Sequence, residues 1–315
     1  MNEETSEILI EIEEEQAGER LDLFLTDFFP ERSRTWIRKR IEDGDVRLVS
    51  AQNKNCKPST IVRDGDRVIF TVRPDAPIEA KPENIPLDIL YEDNDLLVVN
   101  KPKGMVVHPA PGHPDHTLVN AVLYHTGSTL SGIGGMLRPG IVHRIDKDTT
   151  GSVIICKNDV AHQGIAGQLE KHTIDRVYHA LLIGRLPEEE MRIEKPIARS
   201  RTDRKKMAVA APGQEGKYAA TTLHLIRYFP VDQISYVTCT LETGRTHQIR
   251  VHTASIGHPV LGDPVYGSDA GRKFKTQGQC LHAKTLCFEH PVTKERIETD
   301  APLPEYFEHL LQILH

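Results

Sequence analysis

Residues 220–241 read ATTLHLIRYFPVDQISYVTCTL. Two runs rich in β-branched and aromatic residues, 220–228 and 235–241, are separated by a short gap that contains a proline. A parallel crossover needs about a dozen residues or more, so this gap pairs the two runs as antiparallel neighbours. Further strand-like runs lie on both sides. Upstream are Leu96-Leu97-Val98-Val99, residues 152–156 and residues 176–183; downstream are residues 281–289. Helical candidates are residues 160–171, 246–256 and 305–314. Several strands are too close together for helical crossovers. The reading is therefore an α+β domain with a mixed, largely antiparallel central sheet, spanning residues 87–315.

Ahead of it, residues 18–74 form a second module. Leu21, Phe24, Leu25 and Phe28 recur at helical spacing. Ser33 is placed to cap a second helix, residues 34–42. There Trp36, Ile37 and Ile41 face inward, and Arg34, Arg38, Lys39 and Arg40 crowd the other side. Short strands at 46–48 and 68–72 follow, with turns at Gly44 and Asp64-Gly65. Residues 75–86 hold Pro77, Pro82 and Pro86 and read as a linker. A row of Arg and Lys on one helix can lie along phosphates, although such a row is also an ordinary solvated face.

The net charge of −6 argues against a nucleic-acid partner only until it is divided along the chain. Residues 1–17 contribute −7, residues 18–74 contribute +3 and the remainder −2. The deficit thus comes from what reads as an acidic N-terminal tail, and a local basic face stays open. No run of about 18 apolar residues predicts a membrane span. The N-terminus, MNEETSEILIEIEEE, has neither the basic start nor the apolar stretch of a secretory signal. Cys56, Cys156, Cys239, Cys280 and Cys287 are scattered and show no CxxC spacing, as expected of reduced thiols in the cytoplasm. No feature asks for more than a monomer.

The densest chemistry lies in GIVHRIDKDTTG, residues 140–151. An apolar strand end runs into His143, Arg144 and Asp146, then a Thr-Gly loop, then the strand at 152–156. A group at a strand-to-loop transition is well held yet faces open space. A carboxylate flanked by Arg144 and Lys147 suits a nucleophile or base, though an ion pair that merely stabilises a loop looks the same.

HRIDKDTTG resembles the HRLDxxTSG signature of the RluA-type RNA pseudouridine synthases, closest to their D-type members, which modify large-subunit ribosomal RNA. Further blocks agree in order: KPKGMVVHPAPGH, RVYHALLIGRL, LETGRTHQIRVHTASIGHPVLGDPVYG and CLHAKTLCFEHPVT. They span about residues 87–300. Ile145 and Thr150 depart slightly from the family pattern. The module at 18–74 resembles the RNA-binding domain named after small-subunit ribosomal protein four. The resemblance implies a pseudouridine synthase fold preceded by a small α/β RNA-binding domain. It implies an isomerase that flips a uridine out of structured RNA, cleaves its glycosidic bond and rejoins the base through carbon, without metal or organic cofactor. It makes Asp146 the catalytic carboxylate and Arg144 the side chain that fills the stack. Tyr178 packs on the flipped uracil, where it or a water it holds is a candidate base, and Arg245 is the partner of Asp146. Arg34, Arg38, Lys39 and Arg40 become candidate phosphate contacts. The implied partner is large-subunit ribosomal RNA or a pre-ribosomal particle, with tRNA not excluded.

Other readings are weaker. His108, His113 and His116 sit among prolines without a completing Cys or Glu, and His247 and His252 miss the i, i+4 spacing of a zinc helix. GIGG at 132–135 lacks the Lys-Ser or Lys-Thr of a nucleotide-phosphate loop. A base-releasing N-glycosidase would need a second carboxylate, for which Asp148 is the candidate. A binding-only ribosome factor would be indifferent to Asp146.

Overall fold

The computed structural model describes residues 6–30, 34–49, 56–72, 80–110, 112–127, 130–133, 135, 138–203 and 206–315. The chain forms two compact units, Met1–Pro77 and Ile78–His315.

The first unit contains β1 (Ser6–Glu11), α1 (Leu21–Phe28), α2 (Arg34–Glu42), β2 (Val46–Val49) and β3 (Arg67–Val72). Its sheet has the order β1-β3-β2, antiparallel throughout. The expected acidic tail is therefore wrong in part. In SEILIEIE the apolar residues Ile8, Ile10 and Ile12 fall on one side of an alternation, with Ile10 and Ile12 buried against Phe24, Ile37 and Phe70. The intervening acids point outward, and Glu7 and Glu11 pair with Arg47 and Arg67. The capping role expected of Ser33 lies outside the described residues.

The basic face of α2 is narrower than the sequence implied. The guanidinium of Arg34 donates to Asp22, whose side chain is fully buried and also bound by Arg20. Arg40 pairs with Asp45 at 3.1 Å and lies over the Trp36 ring. Arg34 and Arg40 are thus tied into the unit's own structure. Arg38 and Lys39 remain exposed and carry no ion pair among the described residues.

The second unit begins inside the expected linker. Ala80 packs on Val119 and Leu123, and Asn120 donates to the Lys81 carbonyl at 2.7 Å. Its strands are β4 (Ile89–Glu92), β5 (Leu96–Lys101), β6 (Thr150–Cys156), β7 (Asp175–Ile183), β8 (Glu190–Glu194), β9 (Ile197–Arg199), β10 (Met207–Val209), β11 (Ala220–Phe229), β12 (Ile234–Leu241), β13 (Leu281–Glu289) and β14 (Arg296–Asp300). Its helices are α3 (Leu118–His125), α4 (Asp159–Glu170), α5 (Gln248–Ser255) and α6 (Glu305–Ile313). Nine strands form one sheet in the order β4-β5-β6-β13-β7-β12-β11-β8, with β14 paired to β13. β6 and β13 are parallel; the other neighbours are antiparallel, including β11 and β12 as their short connection requires. β9 and β10 form a separate hairpin.

The parallel contact is brief, His282 with Thr150 and Ala283 with Gly151. Gly151 has φ +107°, and a Cβ there would stand 2.2 Å from the Ala283 carbonyl oxygen. Glycine thus lets the chain leave the sheet at the start of β6, where the His143–Asp148 segment arrives. The main core, with Val99, Val153, Tyr178, Val237 and Ile249, lies beneath this point.

Candidate active site

The segment bearing Asp146 is fastened from several sides. The His143 imidazole accepts the Ile154 N–H through Nε2, and Ile145 is buried in the main core. The Thr149 N–H closes a turn on the Asp146 carbonyl. The Lys147 carbonyl accepts from the Gly104 N–H and from Lys101 Nζ, each at 3.0 Å. Lys101 is fully buried and donates to the carbonyls of Pro102 and Met105 as well. Burial draws its pKa down to about 7, against the opposing charges of Asp148 and Asp146. These anchors hold the segment at the wall of a cavity of about 490 Å³, which Asp146 lines.

Arg250 of α5 grips that carboxylate. Its Nη1 donates to Asp146 Oδ2 at 2.8 Å, while Nε and Nη2 make a fork to Asp263 at 2.7 and 2.8 Å. Asp263 is itself held by the N–H groups of Val265 and Tyr266. Burial opposes the charge of Arg250, but the two carboxylates more than offset this and raise its pKa above the usual arginine value. The helix is fixed in turn by Gln248, whose amide binds the Ala220 carbonyl and the Thr221 and Thr243 hydroxyls. His252 also orders α5, bonding Thr221 and the Lys195 carbonyl.

The expected partnership of Arg245 with Asp146 is corrected by this geometry. Arg245 lines the cavity, but its Nε donates to the Tyr218 carbonyl at 2.9 Å. Both arginines lie in TGRTHQIR, and Arg250, in the middle of a buried helix, is the one that requires carboxylates. Spacing gave no warning of a second contact to Asp146. His247 has φ +56° and brings Nε2 within 3.7 Å of Asp146 Oδ1, with Nδ1 2.8 Å from the Tyr266 hydroxyl. Tyr266 accepts the Met207 N–H, so its own proton is available to His247 Nδ1. This ties the β9–β10 hairpin to the site.

Tyr178 and Arg144 both line the same cavity, Tyr178 buried on β7 and Arg144 exposed. Burial, with Asp146 adding to it, pushes the Tyr178 hydroxyl up to about 12. Its phenolate fraction at neutral pH is then on the order of 10⁻⁵, so the phenol works there as a neutral hydrogen-bonding group. Tyr178→Phe should cost roughly tenfold in single-turnover rate, the loss of one hydrogen bond. The alkaline side of the pH–rate profile should keep its shape up to about pH 10, below the range in which Tyr178 ionises. An alkaline limb between pH 7 and 10 that disappears in Tyr178→Phe would contradict this.

Asp148 is not on the cavity wall; it lies against Gly278. A second carboxylate for hydrolysis is thus not supplied from that position. His108 is buried, and His116 pairs with Glu83. Among the described residues, Asp93, Asp95 and His290 come near enough together to hold a metal ion. Yet His290 Nδ1 accepts the N–H groups of Val292 and Thr293. The ring proton then sits on Nε2, 2.9 Å from Asp93, where a metal would need a lone pair.

The chain matches the family described as RNA pseudouridylate synthase over residues 95–255. It is 45% identical over 98% of its length to the RNA pseudouridine synthase YlyB of Bacillus subtilis, covering 98% of that protein. It is 43% identical to ribosomal large subunit pseudouridine synthase D of Zymomonas mobilis, with 97% of this chain and 96% of that one aligned. A solved human structure, RNA pseudouridylate synthase domain containing 1, superposes with a TM-score of 0.56 at 26% identity, covering 76% of this chain and 96% of that one. The chain belongs to the RNA pseudouridylate synthase family, of the RluA type. It is an enzyme that isomerises uridine in RNA to pseudouridine.

Proposed function

We propose that this enzyme modifies uridines in large-subunit ribosomal RNA in the cytoplasm, acting as a monomer on the RNA or a pre-ribosomal particle, with Asp146 as its catalytic carboxylate. The target class is supported by near-full-length similarity to enzymes named for the ribosomal large subunit. No helix of the described residues is long and apolar enough to cross a membrane. The assignment of Asp146 is carried by one observation: a partly accessible carboxylate, gripped by Arg250, at the wall of a cavity. Arg144, exposed at that cavity, refills the stack that the uridine leaves, and Tyr178 packs on the extruded base. Arg250 takes the place given to Arg245 as the residue that orients Asp146, and Arg245 serves RNA at the rim.

Purified enzyme should form pseudouridine in a large-subunit ribosomal RNA transcript, in EDTA and without any nucleotide, far faster than in tRNA. Preference for tRNA would overturn the target class. Activity lost to EDTA and restored by zinc, with the RNA fold unchanged, would overturn the cofactor-free reaction.

Arg38 and Lys39 of the first unit contact phosphates. Replacing both by Ala should reduce the slope of log K against log salt by roughly 1.4–1.8, two phosphates' worth, and leave stability unchanged. Arg34→Ala should instead lower the first unit's stability, by on the order of 1–3 kcal/mol, because buried Asp22 loses one of its two guanidinium partners. An unchanged salt slope in the double variant would remove the first unit from RNA binding.

A further inference from the structure

The cavity wall carries a further cation, Arg176. Arg176 stands on β7 two residues before Tyr178, so both project from the same face of the strand, and both line the cavity. Arg176 is 5% exposed. Its hydrogen bond runs from Nη2 to the Glu242 carbonyl at 3.2 Å, and its buried Nε has no partner. Among the described residues it has no carboxylate within ion-pair distance; its charged neighbour is Arg245. A guanidinium has five N–H donors. Burying it without counter-charge is unfavourable, and packing gives no return for that. Room is nevertheless kept for it: a Cβ at Gly244 would stand 2.6 Å from Nη1.

We propose that Arg176 binds a carbonyl oxygen of the target uracil and stabilises the anion formed when the glycosidic bond breaks. This rests on the Asp146 cavity being the catalytic site. As the N1–C1′ bond cleaves, its electron pair stays with the base and spreads over N1, C5 and the two carbonyl oxygens. C1′ is meanwhile bonded to Asp146, or C2′ has given its proton to Asp146. The base then turns, and electron density at C5 forms the new C5–C1′ bond as C1′ leaves the carboxylate, or as the glycal takes its proton back. The C5 proton departs to solvent and N1 takes one up, so the change is an isomerisation. The negative charge exists only between the two bonds. A fixed cation beside the oxygen that carries it therefore favours the intermediate over the bound uridine. A backbone phosphate is a poorer occupant, because Arg176 is buried beside Tyr178, whereas Arg144 is exposed.

The test is single-turnover kinetics of Arg176→Met and Arg176→Lys on two RNAs that differ at the target, one with uridine and one with 5-fluorouridine. Fluorine stabilises the uracil anion without enlarging the base much. The readout is disappearance of the target nucleoside from nuclease digests, with RNA affinity measured in parallel. Arg176→Met should slow uridine cleavage by about 10²- to 10³-fold, the usual effect of one lost oxyanion donor. The deficit should shrink at least tenfold on 5-fluorouridine, affinity should hold within about threefold, and Arg176→Lys should recover part of the rate. Equal deficits on both RNAs, or a loss confined to affinity, would overturn the proposal. If Arg176→Met fails to fold, Arg176→Lys carries the same comparison, and an equal deficit on both RNAs overturns it. Asp146→Asn run alongside keeps the outcomes separate, since turnover by that variant would remove the cavity itself from the chemistry.

Discussion

Asp146→Asn will abolish pseudouridine formation and leave RNA binding nearly intact. The amide keeps the shape of the carboxylate and can still accept from Arg250, so the wall of the cavity is preserved. It can neither attack C1′ nor remove a ribose proton. The loss should be at least about 10⁴-fold, as for other enzymes deprived of the group that makes or takes the first bond. Tritium released from C5-labelled uridine RNA measures the rate, and filter binding measures affinity. A variant that turns over within tenfold of wild type would remove Asp146 from its role.

Arg250→Met carries the next largest effect, and on two properties at once. Asp146 loses its orienting partner, and Asp263, with a fully buried side chain, loses its counter-charge. Rate should fall by on the order of 10³-fold. Stability should fall by about 3–5 kcal/mol, the usual consequence of leaving one half of a buried pair behind. The pH dependence follows from Asp263. Burial pushes its carboxyl up, but Arg250 and the N–H groups of Tyr266 and Val265 hold it below the ordinary value. In the wild type this gives stability that is present above the unfolded-state pKa and lost as pH falls through the lower, folded one. Without Arg250, burial dominates and the carboxyl rises, so the deficit should be greater at pH 7 than at pH 4. Urea denaturation at the two pH values measures it. Arg245→Ala should change neither stability nor the single-turnover rate at saturating enzyme by more than a few fold. If Arg245→Ala proves as damaging to chemistry as Arg250→Met, the pairing of Arg250 with Asp146 does not govern the reaction.

The parts of the molecule legible in its sequence are those where one local rule decides. The short connection between β11 and β12 leaves only an antiparallel pair, and HRID at a strand end marks Asp146. The three-residue strands β9 and β10 gave no such signal, because a run that short has no period to read. β1 was hidden differently: its alternating Ile8, Ile10 and Ile12 were masked by acids that composition reads as a tail. At the site, Arg245 and Arg250 sit five residues apart in one motif, and only the course of α5 decides which faces Asp146. Arg34 reaches Asp22 on the preceding helix and Arg40 reaches Asp45 just past its own helix end, contacts that helix periodicity does not show, so a helix face counted as four free cations holds two. Arg176 gave no separate signal, since a basic residue opening a strand is ordinary until the strand's face is known to line a cavity.

The most direct measurement is a pseudouridine map of large-subunit ribosomal RNA, made by mass-based detection after chemical labelling. The cells compared would lack this enzyme, or carry it as wild type or as Asp146→Asn. If Asp146 carries the chemistry on this RNA, defined pseudouridines vanish in the deletion, return with wild type and stay absent with Asp146→Asn, although that protein still binds the RNA. Maps that are identical in all three, or modification restored by Asp146→Asn, would contradict this.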